Sequence, residues 1–112
     1  MKLKLRFATC LVALLSVPMT AFAVAGWTDT VPVAELTPTI HGRFLVKLKV
    51  SKNPSGCKNK EIFYRDYNIP GAAQMYDALL KAVATGKKVR VFVTGVCDLD
   101  GYSEISSVTI LP

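Results

Sequence analysis

The chain has 112 residues, a formal net charge of +6, three cysteines and a single histidine. That length holds one small domain with one hydrophobic core. One histidine and scattered Asp and Glu residues leave no catalytic constellation and no metal-ligand cluster, so an enzyme is not expected.

Residues 1–23 read as a secretory signal. Lys2, Lys4 and Arg6 form a basic n-region, Phe7 to Val17 an apolar h-region, and Ala21-Phe22-Ala23 a small-residue cleavage site. Cleavage after Ala23 is expected, with Ala25 as the near alternative. The apolar run is too short for a spanning helix, so no stable membrane insertion is expected. Losing Lys2, Lys4 and Arg6 leaves eleven basic residues against eight acidic ones, a net charge of +3. That is weaker than the basic stripe of a nucleic-acid binder, and export argues against such a partner too. Localisation is expected to be periplasmic or secreted. Residues 24–112 are expected to form one domain. Their two cysteines, Cys57 and Cys97, are expected to pair as a disulfide in an oxidising compartment.

Gly26 to Thr30 reads as a turn-like segment around Trp27. That tryptophan can pack under the end of a barrel or line a ligand site. Val31 to Ile40 reads as a first strand, confined to an edge or broken by Pro32 and Pro38. His41-Gly42 is a turn. Arg43 to Val50 is a half-buried strand with Phe44, Val46, Leu48 and Val50 on one face and Arg43, Leu45, Lys47 and Lys49 on the other. Asn53-Pro54-Ser55-Gly56 marks a loop. Glu61 to Tyr67 is a third strand with aromatics on both faces.

Pro70-Gly71 opens a helix over residues 72–85, and Gly86 supplies a left-handed C-terminal cap. Met75, Leu79 and Val83 are spaced to face the core, with Asp77 and Lys81 outward. The apolar side is wider than a helix on a small barrel needs. Either it makes a second contact, or Ala78, Ala82 and Ala84 are simply good helix formers. Val89, Val91 and Val93 mark a fourth strand, Asp98 to Gly101 a turn, and Tyr102 to Leu111 a fifth strand. A bulge at Ser106-Ser107 is needed to place Ile105, Val108 and Ile110 on one face. The expected fold is mainly β with one helix: a five-stranded OB-fold barrel, the helix lying between strands three and four. The Asp98-x-Asp100-Gly101 run lacks the further ligands of a calcium loop.

The order helix, Gly86-Lys87-Lys88-Val89-Arg90-Val91-Phe92-Val93, cysteine, hairpin resembles the binding subunits of bacterial toxins built from one A and five B subunits. It is most similar to the B subunit of the subtilase cytotoxin group. The likeness extends to Thr37-Pro38-Thr39-Ile40-His41-Gly42, and Gly56-Cys57 and Cys97 to Ile105 resemble a wider set of small exported bacterial proteins. The resemblance implies a lectin-like, exported binding module with a cell-surface glycan or an exported partner chain as its target. It also implies a homo-oligomeric ring with the helix lining a central pore. In sialic-acid-binding relatives a serine near the first strand contacts the sugar. Here Asp29, Thr30, Val31 and Pro32 stand in that region, and Phe92 or Val93 stands where a tyrosine is found. The candidate ligand-binding residues are Trp27, Asp29, Thr30, Tyr64 and Phe92, with no cofactor. A periplasmic structural or stress-related protein without sugar binding is the alternative.

Overall fold

A computed structural model describes residues 24–112. The segment read as a signal lies outside the described residues. Seven strands and one helix follow in chain order: β1 (Gly26–Trp27), β2 (Val31–Pro32), β3 (Glu35–Pro38), β4 (Arg43–Lys47), β5 (Ile62–Asp66), α1 (Ala72–Thr85), β6 (Lys88–Asp98) and β7 (Tyr102–Leu111). They form one mixed sheet in the order β1-β6-β7-β5-β4-β3, with β2 also on β6. Only β5 and β7 run parallel.

The described residues are mainly β with one helix, as expected. The strand count and closure differ from expectation: the sheet has seven strands and is open, so the pairing is not that of a closed five-stranded barrel. The difference lies in residues 26–38. Gly26–Trp27, read as a turn, pairs with Val93 and Phe92 of β6. The single strand expected over Val31 to Ile40 is divided. Val31 and Pro32 pair with β6, whereas Glu35 to Pro38 pairs with β4. The direction changes at Val33-Ala34, between the two prolines, each of which removes a ladder donor. One short segment therefore supplies strands to both ends of the sheet. Buried Thr28 continues the β1 pairing. Its N–H donates to the Val91 carbonyl at 3.0 Å, and its hydroxyl oxygen accepts the Val91 N–H at 3.1 Å.

The core follows the alternation of the strands. Phe44, Val46 and Leu48, Phe63, Val89, Val91 and Val93, and Ile105 are buried together with Leu79 and Ala82 of α1. The slip in the last strand is a bulge. Val93 faces Ile105 but Phe92 faces Ser107, so Ser106 is the extra residue. Beyond it, Val108 and Ile110 return to the core side opposite Val91 and Val89. At the far end of β6 a second irregularity sets Thr94, Gly95 and Val96 against Glu104 alone, with Gly95 in the left-handed region at φ 95°.

Helix α1 starts after Gly71 (φ 88°), with no side-chain cap. It ends at Gly86 (φ 70°), whose N–H donates to the Ala82 carbonyl. Its buried stripe is Ala72, Leu79 and Ala82, with Met75 and Tyr76 partly buried beside it. Asp77 and Lys81 are exposed as expected. Val83 is not a core residue; it is 49% exposed. Four residues exceed one 3.6-residue turn, so from Leu79 the inward position falls on Ala82 and Val83 rotates outward.

The 51–60 loop is tied to the β6–β7 hairpin by covalent and polar contacts. The expected Cys57–Cys97 disulfide is present, with 5.5 Å between the Cα atoms. Beside it the hydroxyls of buried Ser55 and Ser103 lie 2.9 Å apart, and the Asn53 amide donates to Ser103 Oγ at 3.1 Å. The hairpin turn bonds Gly101 N–H to the Asp98 carbonyl at 3.1 Å. Its first central residue is Leu99 at φ 57°, a left-handed conformation that costs a residue with a Cβ roughly 1–2 kcal/mol. A Cβ at Gly101 would lie 2.7 Å from Lys58 Cβ, so no larger residue fits there.

Leu79→Ala is expected to cost about 2–5 kcal/mol by leaving a cavity under the helix, whereas Val83→Ala should change stability by about 0.5 kcal/mol or less. Chemical denaturation of both variants checks the stripe, and equal losses would refute it. Non-reducing mass spectrometry should find no alkylatable thiol at Cys57 or Cys97. Reduction should cost about 4 kcal/mol in the chain-entropy treatment of a 41-residue loop, read as a lower denaturation midpoint.

Candidate ligand-binding surface

Two of the five sequence-derived site residues meet. Trp27 of β1 lies opposite Phe92 of β6, their ring centroids 5.3 Å apart in an edge-to-face arrangement. The Arg90 guanidinium stands 4.5 Å from the Trp27 centroid, within cation–π range. Both aromatic rings are half-buried. Arg90 Nε is buried and has no hydrogen-bond partner, so the indole face supplies its electrostatic compensation. Arg90 was not singled out by sequence reasoning. Its signal is the two-residue spacing from Phe92, which puts both on one face of β6.

Asp29 and Thr30 follow β1 but do not join that cluster as open ligand groups. The Asp29 carboxylate accepts the N–H groups of Lys52 at 3.1 Å and Ser51 at 3.2 Å, fastening the start of the 51–60 loop. Partial desolvation works to raise its pKa. The Lys52 and Ser51 N–H donors outweigh this and hold the carboxyl below its ordinary value. Thr30 is half-buried between Asp29 and β2.

Tyr64 is placed apart from the other four and out of reach of a ligand, at 4% exposure. It faces Leu45 and Glu104 on neighbouring strands. Burial, and then the negative charges of Glu104, Asp98 and Asp66, push its hydroxyl up to about 12. The aromatics on the two faces of β5 are thus both buried: Phe63 in the core, Tyr64 on the opposite side of the strand.

The structure adds a second surface that the sequence did not assemble. A depression of about 240 Å³ is lined by His41, Gly42, Arg43, Asp66 and Asn68. It lies where the β3–β4 turn meets the end of β5. Arg43 and Asp66 are cross-strand partners, and Arg43 Nε donates to Asp66 Oδ1 at 2.9 Å. This pair is partly exposed, so it adds at most about 1 kcal/mol to stability and mainly orients the two groups. Gly42 turns the backbone at φ 76°, and its carbonyl accepts the Tyr67 N–H at 2.8 Å. Thr39 Oγ1 donates to the Arg43 carbonyl and accepts the His41 N–H.

Next to these lining residues in the chain come Ile40, 96% exposed, and Tyr67 and Ile69, each 37% exposed. Phe44, Tyr67 and Tyr76 form an aromatic cluster with centroids 5.6–6.2 Å apart. Burial, then neighbouring Tyr76, raises the Tyr67 hydroxyl pKa. His41 does sit on a turn, as its sequence context indicates. Its neighbours across the strand pair could have been found only by matching Arg43 and Asp66 as the opposite ends of adjacent strands.

Among the described residues no three His, Cys, Asp or Glu side chains group to hold a metal ion, and no helix is long and apolar enough to cross a membrane. No protein-family model and no curated protein matches the chain.

The Asp29 contacts have a testable acid dependence. A carboxyl whose pKa is depressed on folding contributes stability that is present above its unfolded pKa and is lost as pH falls through its folded pKa. The wild-type protein should therefore lose thermal stability on acidification below about pH 4. Asp29→Asn should show a shallower loss over the same range. Identical pH profiles of Tm for the two proteins would mean that Asp29 does not anchor the 51–60 loop.

Proposed function

We propose that this protein is an exported, lectin-like binding module whose sheet works as an OB-type arrangement. In this reading residues 26–38 act as one bent first strand. With β4, β5, β6 and β7 as the second to fifth strands, neighbours run 1-2-3-5-4-1, and α1 lies between the third and fourth. The pairing of residues 26–38 with β6 at one end and β4 at the other supports this. The connection between first and second strands, one of the loops through which OB-folds engage oligosaccharides, is then the His41-Gly42 turn. The disulfide is consistent with an oxidising, exported setting.

The depression at that turn carries the functional reading. It brings a guanidinium–carboxylate pair, an imidazole and a carboxamide to one concave spot beside an exposed tyrosine. These groups supply hydrogen-bond donors and acceptors for vicinal hydroxyls, and Tyr67 an apolar surface for the C–H face of a pyranose ring. The Arg43–Asp66 pair holds the polar groups in place before a ligand arrives, which lowers the entropy cost of binding. The Trp27–Phe92–Arg90 cluster is the less open surface, because the arginine already occupies the indole face. The likeness to toxin B subunits points to the same class of ligand.

A glycan array probed with the oxidised protein tests this. Binding to a defined set of glycans is expected, and His41→Ala and Asn68→Ala should each weaken it by at least tenfold. Both side chains are exposed, so Tm should stay within a few degrees of wild type. An array with no bound glycan would favour the structural or stress-related alternative. Retained binding in both variants would remove the depression from the site.

A further inference from the structure

Besides Ile40, Tyr67 and Ile69 near the His41 depression, two further apolar surfaces of the described chain remain uncovered, and they differ in shape and charge. The first is one flank of α1. Leu80 and Val83, each about half exposed, lie on the same side of the helix as half-buried Tyr76 and exposed Ala73 and Ala84. Gln74, Asp77, Lys81 and Thr85 take the remaining exposed side. The uncovered apolar residues therefore extend the core stripe in one direction rather than scattering around the helix. Exposed Lys81, Lys87 and Lys88 stand around the C-terminal end of this flank, and Asp77 is the one acidic residue of the helix.

The second surface is the tip of the β6–β7 hairpin. Val96 and Leu99 are exposed there, with Asp98 and Asp100 on either side of Leu99. Leu99 is held at φ 57°, where glycine would sit without strain. An apolar side chain that is both solvent-exposed and in a strained backbone position points to a role in contact.

Strand β6 separates the two surfaces. It begins at Lys88, beside the end of α1, and ends at Asp98, eleven residues that span about 30 Å at the rise of a strand. The tip of a molecule therefore cannot cover its own helix flank.

We propose that the two surfaces are the halves of one contact between copies of this chain. The hairpin tip of one copy docks on the α1 flank of the next, with Val96 and Leu99 against Leu80 and Val83. Asp98 and Asp100 then face Lys81, Lys87 and Lys88. Lys58 also lies against Gly101 at the tip, so the tip keeps a net acidic excess of one charge, which favours tip-to-flank over tip-to-tip contact. Because unlike surfaces meet, each associated pair retains a free tip and a free flank for further copies. Neither Leu80 nor Val83 lines the His41–Asn68 depression, and the contact does not depend on the glycan reading.

Sedimentation velocity of the disulfide-bonded protein across the micromolar range tests it. A mass above one chain is expected, falling as salt is added because the flanking charges are exposed. Leu99→Gly should weaken association at least tenfold while Tm is unchanged or higher, since it removes the knob and relieves the backbone. Leu80→Asp should weaken association equally from the other side. The sharpest outcome comes from mixing these two variants, each monomeric and folded by circular dichroism. The intact tip of the Leu80→Asp protein should dock on the intact flank of the Leu99→Gly protein, giving a one-to-one pair and nothing larger. A wild-type protein that sediments as a single chain at every concentration would overturn the proposal. So would association that neither substitution weakens, or a mixture that stays monomeric.

Discussion

The antiparallel pairing of β6 with β7 is the constraint on which the other elements depend. Its two strands are the longest among the described residues, and every other part of the sheet is attached, directly or through a neighbour, to one of them. β6 carries β1 and β2, β7 carries β5 and through it β4 and β3, and α1 packs on both. Val89, Val91 and Val93 supply one side of the core from β6. The bulge at Ser106 lets Ile105, Val108 and Ile110 join the same face from β7. Without that extra residue the period-two rule would turn either Ile105 or the pair Val108 and Ile110 toward solvent. One serine thus sets how much of the last strand reaches the core.

Much of this was legible in the sequence, for physical reasons. The helix boundaries were readable because Gly71 and Gly86 adopt left-handed conformations that mark its ends. The bulge was readable because three apolar residues could not share a regular face. The disulfide was readable from the two cysteines beyond residue 23. What escaped was the division of residues 26–38. Pro32 and Pro38 signal an interruption, but which neighbour each half joins depends on partners more than fifty residues away in the case of β6. The side of the helix that carries Val83 escaped because a spacing of four suits either edge of a stripe, and packing against the sheet decides between them.

The candidate surfaces show the same division. Trp27 and Phe92 could be named from their chemistry, and the sheet register brings them face to edge. Asp29 and Tyr64 have the right chemistry but are engaged elsewhere, one in capping loop N–H groups and one in burial beside three carboxylates. The depression at His41 is made by register alone. Arg43 begins its strand and Asp66 ends the next, so neither reads as special until the two are paired.

The attachment of β1 to β6 also governs the order in which the molecule can be made. Gly26 finds its ladder partner at Val93, sixty-seven positions further along the chain. β4 and β5 are neighbours in sequence and can pair early, whereas the first strand has no partner until β6 has emerged. Loop closure over such a separation is slow relative to local pairing. Gly26 and Trp27 are therefore expected to be the last part of the sheet to pair, after the rest of the domain has begun to take shape.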